Sequence, residues 1–180
     1  MIEKLEVHWQ RARAGVSGRW QMVRIQRQIR IEAGPEAVWA VLADYGGVDK
    51  WMPSVDHAVI TTGEAGVGCE RACDIQGMGK VHERVLVWDE NERFVVELSA
   101  MGPMKSAQSD WMLTPQGEGT LVTSVTDVAM RFGPIGVLMA RTVVGRQLGK
   151  QLEIGLRGLK AYVEREESLS VAEAKTVASA

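Results

Sequence analysis

The sequence predicts an α+β fold: a seven-stranded curved antiparallel sheet, two short helices, and a long C-terminal helix across the concave face of the sheet. Three observations predict it. After Gly133-Pro134, Leu148, Leu152, Leu156, Leu159 and Val163 fall at steps of four, four, three and four, one stripe of a helix. Arg146, Lys150, Glu153, Arg157, Lys160 and Glu164 take the opposite face. Before Gly133, strand-like stretches are separated by Gly-, Pro- and Asp/Asn-rich turns. A helix from Gly133-Pro134 to about Glu166 is about 45 Å long at 1.5 Å per residue. A curved sheet does not follow a straight helix along that length, so wide side chains or an internal cavity must fill the remainder.

The elements follow in order. Residues 1–21 read as an N-terminal extension, weakly helical through Leu5, Trp9 and Ala12 until Gly15 and Gly18 stop the pattern; Met22 is a candidate second start. Val23 to Ile31 alternates, with Val23, Ile25, Ile29 and Ile31 on one side, as in a half-buried strand. Ala33-Gly34-Pro35 breaks it. Pro35 suits a first helical turn and Glu36 its positive end, with Val38, Trp39, Val41 and Leu42 on the apolar side. Gly46-Gly47 ends that helix, and a second short turn runs to Trp51 before Pro53. Six further strands are expected over Asp56–Thr62, Cys69–Ile75, Lys80–Trp88, Arg93–Met101, Lys105–Leu113 and Thr120–Met130, joined as a meander by short turns. Residues 22–166 form one domain, and the Ser-, Ala-, Glu- and Thr-rich stretch 167–180 reads as a loosely ordered polar tail.

Composition excludes several function classes. A net charge of -2 over 180 residues offers no basic field for nucleic acid or an anionic membrane. The mixed-charge N-terminus is neither a signal peptide nor a membrane span, and no apolar run is long enough to cross one, so a cytoplasmic location is expected. Cys69 and Cys73 on one strand lie about 13 Å apart, too far for a disulfide. No histidine cluster joins them, so they read as two buried thiols without a metal. Gly66-Val67-Gly68 lacks the following helix of a dinucleotide site, and no Ser/His/Asp set or P-loop is present. No cofactor is therefore expected. His57 and His82 read as surface residues.

Glu83 stands out because alternation places it beside Val81 and Val85, on an apolar face, where a carboxylate must be paired, hydrogen-bonded or protonated. A hairpin centred on Glu90 brings Glu97 opposite Glu83; one centred half a step later brings Glu97 opposite Arg84, as a surface ion pair. Ser109 and Trp111 share a face. Trp51, Trp88, Trp111, Met101, Met104, Met112, Met130 and Met139 supply bulky surface. Nine Met and six Trp against two Phe and two Tyr suit a cavity that adapts to a flexible hydrophobic guest. Gly145, Gly149, Gly155 and Gly158 inside the helix imply close packing, a kink or space for a guest.

The order of elements resembles the START/Bet v 1-like helix-grip fold. More closely, the chain is similar to bacterial polyketide cyclase/dehydrase and lipid-transport proteins of the SRPBCC group. The resemblance rests on Pro35-Glu36-Ala37-Val38-Trp39, Leu42-Ala43-Asp44-Tyr45-Gly46, Trp51-Met52-Pro53-Ser54-Val55, and Gly66-Val67-Gly68 with Arg71. It continues through Glu83-Arg84-Val85, Asp89, Arg93, Gly119-Thr120 and Leu156-x-x-Leu159-Lys160, covering about residues 23–165. It implies a cavity between helix and sheet that binds a hydrophobic small molecule such as a lipid, isoprenoid or polyketide, lined by Trp51, Glu83, Glu97, Met101, Ser109, Trp111, Met130 and Met139. In related plant hormone receptors the glutamate matching Glu83 faces the cavity and binds ligand through water; Glu97 departs from the aromatic residue often found there. The resemblance equally admits a cyclase or dehydratase with Glu83 as general acid/base. A third reading is a protein-interaction module. Oligomeric state is left open.

Overall fold

Seven antiparallel strands form one curved sheet in the order β1-β7-β6-β5-β4-β3-β2. The computed structural model describes residues 22–102, 104–131 and 145–178. The strands are β1 (Met22–Ile31), β2 (Val55–Thr62), β3 (Glu70–Ile75), β4 (Gly79–Asp89), β5 (Arg93–Leu98), β6 (Met104–Gln116) and β7 (Gly119–Met130). Between β1 and β2 lie helix α1 (Pro35–Ala43) and a 3-10 helix (Tyr45–Lys50). Helix α2 (Gly145–Ala178) closes the fold. The expected N-terminal extension, the helix start near Gly133-Pro134 and Met139 lie outside the described residues.

Most departures from expectation have local causes. Helix α1 stops at Ala43, and Gly46-Gly47 falls inside the 3-10 helix. A Cβ on Gly47 would lie 2.2 Å from the Asp44 carboxylate, which Lys50 grips at 2.6 Å, so a side chain here would displace that ion pair. Strand β5 ends at Leu98 because Met101 instead exchanges backbone hydrogen bonds of 3.0 and 2.9 Å with Met104 across the turn. The stretch after Glu166, expected to be a loose tail, continues as helix to Ala178. It contains neither Gly nor Pro, and Ser168 and Ser170 donate their hydroxyls back to the carbonyls of Glu164 and Glu167.

One register shift matters for the site. Next to the β4–β5 turn, Asp89 faces Arg93 and Val87 faces Val95; beyond a bulge at Leu86, Val85 faces Val96 and Arg84 faces Glu97. The second of the two hairpin registers is therefore present, and Glu83 faces Leu98. Arg84 forms an ion pair of 3.7 Å with Glu70 on the neighbouring strand.

The C-terminal helix is anchored hard toward one end of the sheet. Leu156, Leu159 and Val163 are almost fully buried there. Lys160 Nζ donates to the Arg30 carbonyl at 2.7 Å, and the Glu32 amide donates to Glu164 at 2.9 Å. Gly119-Thr120 serves the same end: a Cβ on Gly119 would sit 2.7 Å from the Ile31 carbonyl, and the buried Thr120 hydroxyl donates to the Ala33 carbonyl at 2.7 Å. At Gly158 an added Cβ would lie 2.0 Å from the Trp51 carbonyl oxygen, so this helix glycine serves close packing. Toward its N-terminal end the same stripe, Leu148 and Leu152, is only half-buried.

The Gly158→Ala variant should lose about 1–3 kcal/mol in urea unfolding despite the better helix propensity of alanine, because the obstacle is backbone. In Gly155→Ala the new Cβ meets only the end of the Met52 side chain, at 2.9 Å. Its stability should stay within about 1 kcal/mol of the parent.

Candidate ligand-binding site

The half-buried end of the helix roofs a cavity of about 150 Å³. Its floor is the concave face of β3 to β7, its side the 3-10 helix and the turn after it, and its roof Leu148, Gln151 and Leu152. The inner wall is aromatic. Phe94 stacks on Trp111 with ring centres 5.9 Å apart and planes 7° apart, and Trp51 meets Trp111 edge-on at 6.0 Å. Behind them Trp39 packs edge-on against Trp88 at 5.0 Å.

Into this apolar room project two charged side chains. Arg71 on β3 and Glu83 on β4 face each other in register, and each is only 8% exposed. Arg71 Nε donates to Glu83 Oε2 at 2.8 Å and Nη2 lies 2.6 Å from the same oxygen. Arg71 Nη1 donates to the Tyr45 carbonyl at 2.7 Å, and the guanidinium lies 4.0 Å from the Tyr45 ring centre. All three guanidinium nitrogens and one face are thus engaged. Burial works against the Arg71 charge, but the facing Glu83 outweighs it and the guanidinium stays above its ordinary pKa. Burial, reinforced by Glu83, pushes the Tyr45 phenol up, and its hydroxyl has no hydrogen-bond partner among the described residues. Burial, again with Glu83, pushes the chamber-lining Cys73 thiol up to about 11. Cys69 and Cys73 are both free and buried.

A second polar point lies two strands away. Ser109 on β6 and Thr126 on β7 share a hydroxyl–hydroxyl hydrogen bond of 3.1 Å, and both line the chamber. Trp51, Glu83, Ser109 and Trp111 therefore come together around one space. Met101 and Met130 do not line it. They sit, with Met78 and Met104, around an adjoining cavity of about 290 Å³ that shares Met78, Leu148 and Gln151 with the chamber. That cavity forms a methionine-lined mouth. Glu97 is exposed on the opposite face of the sheet, alternating with the chamber-lining Val96 and Leu98 and paired with Arg84, so it is not a chamber residue. His57 and His82 are exposed. Met112 alternates away from Trp111, and Trp88 supports the wall from behind. Sequence reasoning missed Arg71, Tyr45 and Thr126 as site residues. The signal for Arg71 was present, since it shares the phase of Cys69, Cys73 and Ile75 on an apolar strand face.

Among the described residues, no group of three or more His, Cys, Asp or Glu is placed to hold a metal ion, and no helix is long and apolar enough to cross a membrane. The exposed large apolar residues among them are Val59 on β2, Val67 in the following turn, and Ile154 and Leu169 on α2.

The family model described as polyketide cyclase / dehydrase and lipid transport matches residues 22–164. No curated protein matches the chain in sequence. Among solved structures, a protein of Thermus thermophilus is similar at 21% identity and a TM-score of 0.66, covering 80% of this chain and 99% of its own. A START superfamily protein from Mycobacterium smegmatis gives 19% identity and 0.64, covering 79% and 97%. The Zhui aromatase/cyclase from Streptomyces sp. R1128 gives 18% and 0.66, covering 80% and 94%. At these identities the structural likenesses show the helix-grip fold.

Removing one member of the buried pair, as in Glu83→Gln or Arg71→Met, should cost about 3–5 kcal/mol in chemical denaturation; Arg71→Met with Glu83→Leu should recover most of that loss. The Cys73 thiol, raised from 9.0 to about 11, should react with iodoacetamide at least about 100-fold more slowly in the folded protein than in urea, measured by mass spectrometry of the alkylated peptide.

Proposed function

Because the chain belongs to the polyketide cyclase/dehydrase and lipid transport family, we propose that it binds a hydrophobic small molecule, such as a lipid, isoprenoid or polyketide, between the sheet and α2. The observation that carries this reading is the aromatic-walled chamber of about 150 Å³ holding one buried ion pair. Burying a ring-sized group of about 150–250 Å² yields about 4–6 kcal/mol at 25 cal/mol per Å². That only offsets the cost of association, about 4–15 kcal/mol. A tightly held guest must therefore bury more than its head. The adjoining methionine-lined cavity of about 290 Å³, which shares Met78, Leu148 and Gln151 with the chamber, suits the rest of an elongated molecule. Glu83 and Arg71, with Ser109, orient its polar end. The guest enters by exchanging water for apolar walls, so binding is driven chiefly by desolvation. Two buried free thiols fit a reducing compartment such as the cytoplasm.

The geometry supports binding over acid–base catalysis. Both Arg71 contacts fall on Glu83 Oε2, and the group converging on Glu83 is a guanidinium, which stays protonated and supplies no second acid or base.

Native mass spectrometry after gentle purification should show a bound species that organic extraction releases as a hydrophobic compound. The Trp111→Ala variant should bind it about tenfold more weakly, the loss of one ring stack of about 1–1.5 kcal/mol. A protein that runs at its bare mass and takes up no hydrophobic fluorescent probe would contradict the proposal.

A further inference from the structure

We infer, resting on the reading that the chamber holds a hydrophobic guest, that the Arg71–Glu83 pair is a charge filter. It admits an uncharged, hydroxyl-bearing ring compound and rejects carboxylates and amines.

The charge count comes first. Arg71, Glu83 and Asp44 are the ionisable carboxylate and guanidinium groups of the chamber lining, and Asp44 is exposed and held by Lys50 at 2.6 Å. The buried interior is therefore neutral, one positive and one negative charge in contact. Three of the five Arg71 N–H groups are engaged, with Nε and Nη2 on Glu83 and Nη1 on the Tyr45 carbonyl, the Tyr45 ring covers one face, and the single positive charge is already balanced by Glu83. An anionic guest must either displace Glu83 or add a second negative charge beside the one guanidinium, and each leaves a buried charge without its counter-charge, the strongly destabilising case. A cationic guest approaching Glu83 meets the guanidinium already there, in surroundings that screen like charges poorly.

A neutral hydroxyl meets neither obstacle. A carboxylate has about four lone-pair sites, and both Arg71 contacts fall on Oε2, so Glu83 can accept a further O–H without any change in charge. The second polar point is of matching kind. Ser109 and Thr126 spend one hydroxyl hydrogen on each other, and the remaining O–H can donate to a neutral oxygen. Val96 and Leu98 on β5 line the stretch between the two points, where an apolar body belongs. The stacked Phe94–Trp111 wall favours a flat ring.

The test is a titration of the full chain with four probes of one shape near neutral pH: 2-naphthol, 2-naphthoate, 2-naphthylmethylammonium and naphthalene, followed by calorimetry. The filter predicts that 2-naphthol binds at least tenfold more tightly than either ion. In Glu83→Gln, which leaves Arg71 without its counter-charge, 2-naphthoate should gain at least tenfold and overtake 2-naphthol. Wild-type protein that binds 2-naphthoate or the ammonium probe as well as 2-naphthol overturns the filter; if naphthalene also binds, the hydrophobic chamber stands without it. If none of the four binds, the filter falls together with the chamber reading. The wild-type ranking needs no variant, so it decides the matter even if Glu83→Gln fails to fold.

Discussion

A straight helix cannot lie flush along a curved sheet, and the rest of this structure follows from how the chain resolves that mismatch. Helix α2 is fixed at one end, where Gly158 packs against the Trp51 carbonyl and Lys160 and Glu164 bind the backbone around the end of β1. Side chains there interdigitate to full burial. Toward the other end the helix stays close to β1, where Gly149 is buried beside Ile25 and Arg27, while Leu148 and Leu152 over the neighbouring strands remain half-buried. Between them and the sheet a chamber of about 150 Å³ remains, lined by rings and aliphatic side chains. Fixing one end of the helix thus creates a cavity at the other without any sacrifice of backbone hydrogen bonding.

The ion pair inside this chamber is not explained by stability. A buried pair replaced by apolar residues of similar volume is often as stable or more so. What Arg71 adds is position: one side chain joins β4 through Glu83, the 3-10 helix through the Tyr45 carbonyl, and the Tyr45 ring by stacking. The wall containing Trp51 begins a few residues after Tyr45, so the same guanidinium that neutralises Glu83 also holds the side of the chamber. The polar groups of the chamber are therefore held in place without a guest, which under the proposed function lowers the ordering cost of binding.

Much of this was legible in the chain, and the failures are instructive. Alternation in Val23–Ile31, Pro35 at the first turn of α1 and the Leu stripe of α2 each have a local physical cause, so they were readable without tertiary knowledge. Glu83 was found because a charge stood in an apolar phase, and Arg71 carried the same signal one strand earlier. Their pairing required the β3–β4 register, which no local pattern displays. Glu97 shows the limit most plainly. Its outward face follows from alternation with Val96 and Leu98, but its partner, Arg84, depends on the bulge at Leu86, which switches the inward phase of β4 from Trp88 to Val85 and Glu83. No glycine marks that bulge. Met101 and Met130 have the right chemistry, but periodicity says which face a residue takes, not how far along the strand the cavity ends. The stretch after Glu166 was misread because its composition suits solvent as well as it suits an exposed helix.

The central claim is that the space under Leu148 and Leu152 of α2 is a binding chamber rather than unfilled core. Methyl-resolved NMR during a naphthalene titration tests it most directly. The account predicts saturable shifts concentrated on Val96, Leu98, Leu148 and Leu152, with the exposed Val59 and Val67 unmoved. Shifts confined to the exposed methyls, or none at saturating naphthalene, would contradict it.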